Sequence, residues 1–128
     1  MGIDKLVRGN PKSKNRKEPK SDNLQLKLLF KLYTFLARRT DSEFNKKVAR
    51  RLAMSRLNKA PLSTRHLAKY MARRLDKTCV VVGPILDDPR QIEVPENLKV
   101  VALKFSETAR QRIIASGGQC LTFDEFAQ

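Results

Sequence analysis

The sequence contains 128 residues, with 27 Lys or Arg against 13 Asp or Glu, so its formal net charge is +14. This length fits one domain with an appendage, and a hydrophobic content of 41% excludes a wholly disordered chain. No apolar run approaches the roughly 20 residues of a transmembrane helix, and the first residues lack a signal-peptide pattern, so we predict a soluble intracellular protein without a membrane partner.

The positive charge is concentrated in residues 1–74, which contain 21 Lys or Arg and 5 Asp or Glu. Residues 75–128 contain 6 Lys or Arg and 8 Asp or Glu, a net charge of −2. Phosphate backbones attract a strongly basic surface without regard to base sequence, through counterion release. RNA or DNA is therefore the predicted partner.

Residues 1–20 form the first predicted unit, a basic arm. Within it, residues 5–20 hold seven Lys or Arg together with Pro, Gly, Asn and Ser. Such a composition has too little apolar surface to offset the entropy of ordering. We expect the arm to be disordered alone and to order on a polyanion; the alternative is a solvated tail.

Residues 21–75 are predicted to be helical. Ser21 or Asp22 is expected to cap a first helix, because either side chain can accept from the N–H groups of the first turn. Its core-facing stripe has three- and four-residue spacing and comprises Leu24, Leu28, Leu29, Leu32, Phe35 and Leu36. Arg38 and Arg39 suit the helix end, where the dipole is negative.

A second and a third helix follow in the predicted helical region. Thr40 and Glu43 match a capping box for a helix over about 42–57. The residues predicted to be buried on this helix are Phe44, Val48 and Leu52. Pro61 interrupts the chain, and Ser63 is the predicted cap of a third helix. The residues predicted to face inward on it are Leu67, Tyr70 and Met71.

Four cations share one side of the predicted second helix, within an arc of roughly 140° beside its apolar face. They are Lys46, Lys47, Arg50 and Arg51. No carboxylate occurs between Lys46 and Arg74, although exposed helices usually interleave acids at four-residue spacing. This pattern favours contact with nucleic acid over the alternative of a solvated helix face.

Residues 76–128 are predicted to be a small α/β core. A β-branched run over 78–82 predicts a buried strand, and Asp and Pro at 87–90 predict a turn. Further short strands are expected near 91–94, 98–105 and 120–122. Ser106 is expected to begin a helix that ends at Gly117. The predicted fold class is α/β: an N-terminal basic arm and helices, followed by a small irregular ββα-type domain with short strands.

No residue pattern predicts an enzyme, a cofactor, a metal site or a small-molecule substrate. Gly83 and Pro84 lack a phosphate-loop pattern, and His66 has no acid or nucleophile near it in sequence. Cys79 and Cys120 lie far apart without a CxxC partner. Free thiols in a reducing compartment are the expectation, with a disulfide left open.

Several stretches resemble the family of the eukaryotic large-subunit ribosomal protein eighteen, which is related to bacterial large-subunit protein fifteen. They are MGID at the start, KSDN (20–23), KLYTFLARRT (31–40), FNKKVARRLAMSRLNKAPLS (44–63), VVVGPILDD (80–88) and ETARQRIIASGGQCLTFDEFA (107–127). They occur in order and cover most of the chain. The resemblance implies a small α/β domain preceded by helices and a basic arm, built against large-subunit rRNA and neighbouring ribosomal proteins. It also implies a further strand and a basic C-terminal tail, which this sequence does not include.

The resemblance implies rRNA contacts at basic residues inside or beside the matching stretches, namely Lys20, Arg38, Arg39, Arg51, Arg56 and Arg65, with Arg110 and Arg112 as weaker candidates. Together with the arm and the carboxylate-free segment, the predicted RNA-binding residues are Lys12, Lys14, Arg16, Lys17, Lys20, Arg38, Arg39, Lys46, Lys47, Arg50, Arg51, Arg56, Lys59, Arg65, Arg73 and Arg74. Few aromatic residues fall outside apolar stripes, so recognition is expected to act through backbone and shape.

The expected function is that of a structural constituent of the large ribosomal subunit, without catalytic activity, which supports translation and subunit assembly. The expected location is the cytoplasmic ribosome, with a nucleolar stage during assembly. Two alternatives from other classes remain: a DNA-binding helical protein that inserts a helix into the major groove, and a basic amphipathic module for membranes or protein partners.

Overall fold

The computed structural model describes residues 16–74 and 76–128. The elements are α1 (Leu24–Thr40), α2 (Glu43–Ala53), β1 (Leu62–Ser63), α3 (Thr64–Met71), β2 (Cys79–Leu86), β3 (Lys99–Phe105), α4 (Glu107–Ala115), β4 (Gln119–Leu121) and α5 (Phe123–Ala127). This mixture of helices and strands confirms the predicted α/β class. The predicted disorder of the arm falls largely on residues 1–15, which lie outside the described residues, as do Lys12 and Lys14.

The four strands form one parallel sheet whose spatial order, β1-β2-β3-β4, is also their order in the chain. Parallel strands need a crossover between them, and the two helical crossovers, through α3 and α4, both lie on the same face. Successive right-handed crossovers in one direction require this placement. The C-terminal ends of all four strands therefore meet at one edge of the sheet.

Alternation along the strands divides the apolar side chains between two cores, one on each face of the sheet. Val82 and Val101 pack with α1, α2 and α5; the buried helical residues there are Leu29, Tyr33, Val48, Ala49, Leu52 and Phe123. Val100 and Ala102 pack with α3 and α4; the buried helical residues there are Leu67, Met71, Ala109 and Ile113. The described chain is thus a three-layer arrangement of helices, sheet and helices.

The first helix begins one or two residues later than predicted, since the prediction left two caps open. Asn23 is its N-cap, and its side-chain oxygen accepts from the backbone N of Gln25 at 3.0 Å. The predicted caps Ser21 and Asp22 are therefore wrong. All three residues have side chains that suit a cap, so composition alone did not distinguish them.

The predicted capping box between Thr40 and Glu43 is also wrong. Thr40 is the last residue of α1, and its hydroxyl donates to the carbonyl of Leu36 at 2.6 Å. Asp41 follows with a φ of 49°, and Ser42 precedes α2 without a side-chain cap hydrogen bond. The left-handed residue allows the chain to reverse within two residues, so Thr40 serves the first helix and not the second.

Several residues predicted to face the core are exposed instead: Leu24, Leu28, Phe35, Phe44 and Tyr70. In the described structure the sheet lies against only one side of each helix, so the outer part of a wide apolar stripe stays in solvent. The second helix is also shorter than predicted, because it ends at Ala53 and residues 56–58 form a separate 3₁₀ turn.

From α3 onward, the helix caps and turns that the sequence predicts are present, with one predicted strand as the exception. Ser63 and Ser106 cap α3 and α4, Gly117 ends α4 with a φ of 77°, and the turn at 87–90 is present. The predicted strand over 91–94 is wrong. Carbonyl groups of this segment accept hydrogen bonds from a side chain of α4, described below, and not from a neighbouring strand.

The two cysteines lie in register on the same face of the sheet but not on adjacent strands. Cys79 pairs with Val100, and Val100 pairs with Cys120. The Cα atoms of the two cysteines are therefore two strand spacings apart, roughly 9.5 Å. This distance is too long for a disulfide, whose Cα atoms lie at most about 7 Å apart. The structure thus resolves the alternative left open by the sequence: both thiols are free, and burial raises the pKa of each.

Candidate nucleic-acid interface

The cationic face of α2 is exposed as the sequence predicts. Lys46, Lys47, Arg50 and Arg51 all lie on the surface, while Val48, Ala49, Leu52 and Ala53 are buried against α1 and the sheet. Lys46 Nζ lies 3.5 Å from a carboxylate oxygen of Asp41, at the turn before the helix. This ion pair is open to solvent on both sides, so it adds little stability and leaves the lysine accessible.

Beyond α2 the chain passes closely over β2. A Cβ on Gly83 would lie 3.1 Å from the carbonyl oxygen of Ala60, so only glycine permits this approach without a shift. The strand register also changes here, between Val81 and Pro84. The crossing brings Lys59, which precedes Ala60, down to the edge where the strands end.

Lys59 is half-buried, whereas the other described residues of the main predicted RNA-binding set are exposed. Its Nζ donates to the carbonyl oxygen of Leu52 at 2.8 Å, which satisfies a free acceptor in the last turn of α2. Burial, and then the neighbouring Arg16, lower the pKa of this lysine. Lys59 therefore stabilises the helix end and also brings positive charge to the sheet edge.

A groove of about 920 Å³ lies at this carboxyl edge of the sheet, between the start of α1 and the segment after α2. Five cationic side chains line it: Arg16, Lys20, Arg56, Lys59 and Lys104. Asp124 is the one carboxylate among the described lining residues. In open α/β sheets, ligands bind outside the carboxyl ends of the strands. The chemistry of this lining suits a polyanion.

Four of the groove's cations, from the arm and from the segment after α2, were predicted as RNA contacts although they are far apart in the sequence. The fifth, Lys104, was not predicted. Lys104 lies near the end of β3, inside a run read only as a strand. Its position next to the strand terminus was the available clue. Pro19 is buried beside the groove, while Arg16, Lys17 and Lys20 are exposed.

The other predicted contacts lie on separate surfaces. Arg38 and Arg39 are exposed in the last turn of α1, and Arg39 Cζ lies 5.7 Å from the ring centroid of Phe35, a cation–π contact. Arg65 is exposed on α3, and Arg73 and Arg74 are exposed just beyond its end. The described structure does not bring these residues into the groove.

Arg112, a weaker candidate, has an internal role in the structure. Its guanidinium donates to a carboxylate oxygen of Asp87 at 2.7 Å, to the carbonyls of Asp88 and Ile92 at 3.2 and 3.1 Å, and to the carbonyl of Gln91. It therefore anchors the crossover between β2 and β3. Arg110, two residues earlier, is exposed.

Across residues 16–74 and 76–128, acidic, His and Cys side chains form no group of three or more that could hold a metal ion. The helices in those ranges include none long and apolar enough to cross a membrane. What remains is a basic, carboxylate-poor surface on an α/β core, and this combination is typical of the class of proteins that bind nucleic acid.

Comparison with known proteins agrees with that class. The family described as "Ribosomal protein 60S L18 and 50S L18e" matches residues 2–128. "Large ribosomal subunit protein eL18z" of Arabidopsis thaliana is 50% identical over 127 residues, covering 99% of this chain and 67% of the relative. "Large ribosomal subunit protein eL18" of Cicer arietinum is 54% identical, covering 93% and 64%, and that of Theileria parva is 54% identical, covering 98% and 67%.

The chain belongs to the family of ribosomal proteins 60S L18 and 50S L18e. This confirms the resemblance found in the sequence, and the family is one of structural ribosomal proteins and not of enzymes. The chain spans about two thirds of the length of the curated relatives it matches. Neither the family match nor the relatives support the DNA-binding alternative.

Proposed function

We propose that this chain is a structural constituent of the large ribosomal subunit that binds rRNA by neutralising backbone phosphates. The observation that carries the proposal is the segment from Lys46 to Arg74, which has ten Lys or Arg and no Asp or Glu. Cations gathered without carboxylates repel one another, and phosphate groups laid against them remove that cost.

The binding surface has two parts in this proposal. The exposed face of α2 lies along a phosphate backbone, and the groove at the sheet edge receives a second stretch of backbone through Arg16, Lys20 and Arg56. Lys12 and Lys14 of the arm contribute further phosphate contacts in this proposal. Supporting observations are the exposure of these cations and the family to which the chain belongs.

The names of the relatives support the wider setting. As a large-subunit protein, the chain has large-subunit rRNA and neighbouring ribosomal proteins as partners. Its place is the cytoplasmic ribosome, after assembly in the nucleolus, and it acts there in subunit assembly and translation without catalysing a reaction. No small molecule or membrane takes part.

A charge-matched pair of variants tests the phosphate-contact mechanism. Lys46, Lys47 and Arg51 are replaced together by Gln in one variant; in the control, the exposed Lys77, Arg90 and Lys99 of the near-neutral half are replaced by Gln. Binding of the full chain to large-subunit rRNA is measured over a range of salt concentrations. The absolute slope of log K against log salt, called the salt slope below, falls by about 0.7–0.9 when one phosphate-binding cation is removed.

We expect the slope to fall by about 2–3 for the α2 variant and by less than about 0.5 for the control. Equal slopes for the two variants would show that net charge alone, and not this surface, determines binding. Deletion of residues 1–15, which keeps the buried Pro19, is expected to lower the slope further, and an unchanged slope would remove the arm from the mechanism.

A further inference from the structure

The outer surface of α3 carries an aromatic pair that the phosphate mechanism does not use. The rings of His66 and Tyr70 are stacked, with centroids 6.4 Å apart and planes inclined by 26°. The two residues are one helical turn apart and share a face of the helix. Tyr70 is 63% exposed and His66 is also exposed, so the pair presents a planar aromatic surface to solvent.

Ser63 fixes the orientation of this surface. Its hydroxyl oxygen accepts from the backbone N of His66 at 3.4 Å and lies 3.1 Å from Nδ1 of the same imidazole. These two contacts restrict rotation of the imidazole relative to the helix. A ring held in this way loses little conformational entropy when it binds a partner.

Cations flank the aromatic pair on the same helix. Arg65 and Lys69 are four residues apart on α3 and exposed, and Arg73 is exposed two residues beyond the end of the helix. At about 100° per residue, Arg65 and Lys69 lie about 40° apart on the helix, on the side next to His66. This strip belongs to the segment without carboxylates. An aromatic face beside a row of cations matches the chemistry of a single nucleotide, a flat base next to a phosphate.

We propose that α3 binds an unpaired nucleotide of RNA, with the base stacked on Tyr70 and the adjacent phosphates contacting Arg65 and Lys69. The base must be unpaired, because bases within a duplex have no free face to offer. His66 supports the tyrosine ring from its other side. This inference rests on the proposed function and adds to it a contact with a base, where the sequence predicted contacts with backbone and shape alone.

Tyrosine emission reports this contact selectively. The chain has no Trp and only two Tyr, and Tyr33 is 1% exposed in the core. The emission that differs between wild type and Tyr70→Phe therefore belongs to Tyr70. A single-stranded 12-nucleotide oligoadenylate is expected to quench that emission, while a 12-base-pair RNA duplex is expected to leave it unchanged at the same salt concentration.

Affinity for the oligoadenylate gives a second readout. Tyr70→Leu is expected to weaken binding about tenfold with an unchanged salt slope, whereas Tyr70→Phe retains the affinity because the ring is kept. Lys69→Gln is expected to lower the slope by about 0.7, the value for one phosphate contact on a single strand. Ile92→Ala, which removes a side chain that is 91% exposed elsewhere, serves as the control and is expected to bind like wild type.

The outcomes separate this inference from the proposed function. Wild-type affinity in Tyr70→Leu, with the α2 variant still impaired, would overturn the base contact and leave the phosphate mechanism intact. Equal losses in Tyr70→Leu and Tyr70→Phe would also overturn stacking, since phenylalanine has the same ring. If the α2 variant keeps the affinity and salt slope of wild type, the proposed function itself fails.

Discussion

Arg112 is expected to be the most important ionic residue for the stability of the second half of the chain. Its guanidinium joins α4 to the end of β2 through Asp87 and to the crossover through three carbonyl groups. Asp87 also accepts from the hydroxyl of Thr64, which is 1% exposed and in turn accepts from the backbone N of Asp88. The guanidinium of Arg112 thus connects α4, the end of β2 and the crossover between β2 and β3.

The expected cost follows from burial and from the number of hydrogen bonds. The side chains of Arg112 and Asp87 are 27% and 21% exposed, so the pair is shielded but not fully desolvated. Breaking a buried pair by removing one partner costs about 3–5 kcal/mol, and partial exposure places this pair at the lower end. Arg112→Met should therefore lose about 3 kcal/mol of unfolding free energy.

For a chain of this size, such a loss corresponds to a decrease of about 10 °C in Tm. Arg112→Lys keeps the charge but not the forked donors, and should lose about 1–2 kcal/mol. The matched control is Arg110→Met on the exposed side of α4, which should change stability by less than about 0.5 kcal/mol. Urea denaturation followed by circular dichroism gives all three values.

Equal stability of Arg112→Met and Arg110→Met would refute this reasoning. A double-mutant cycle with Asp87→Asn isolates the ionic part of the interaction. A coupling energy near zero would show that the carbonyl contacts alone hold the crossover.

Three further predictions concern single positions. Gly118→Ala should destabilise the chain by about 1–3 kcal/mol in urea denaturation, because a Cβ there would lie 2.6 Å from the carbonyl oxygen of Leu98; stability equal to wild type would contradict the packing described. Hydrogen bonds from the backbone and side chain of Thr122 lower the pKa of Glu125, so this carboxylate adds stability above its unfolded pKa and loses it as pH falls through the folded pKa. NMR titration of the Thr122 amide should show the low midpoint in wild type and no such step in Glu125→Gln. Burial raises the pKa of Cys79 and Cys120, so both thiols should react slowly with a thiol reagent at pH 7 and rapidly in urea, and fast labelling of the folded chain would be the contrary result.

The sequence was sufficient for the features that depend on local chemistry. The β-branched run before Gly83, the caps Ser63 and Ser106 and the glycine at 117 each have one dominant physical interpretation, and the structure confirms them. The cationic face of α2 is equally local, because helical geometry alone places its four side chains together.

Features that depend on which helices and strands pack together could not be predicted from the sequence in this way. Tyr70 has the spacing of a core residue, and only the position of the sheet shows that it faces solvent. The groove is another case, since Arg16, Lys59 and Lys104 come from three segments far apart in the chain that meet only at the carboxyl edge of the folded sheet. The segment 91–94 has a strand-like composition, but it does not pair with a strand. The guanidinium of Arg112 instead donates the hydrogen bonds to its carbonyl groups.

The order of the strands has a consequence for how the chain folds during its own synthesis. Because β1, β2, β3 and β4 are neighbours in the order in which they are made, each new strand can add to the one before it without displacing any pairing already formed. The apolar faces of α1 and α2, however, find their sheet partner only when Val80 and Val82 have emerged. Until that point, the most basic part of the nascent chain is also the part with an uncovered core.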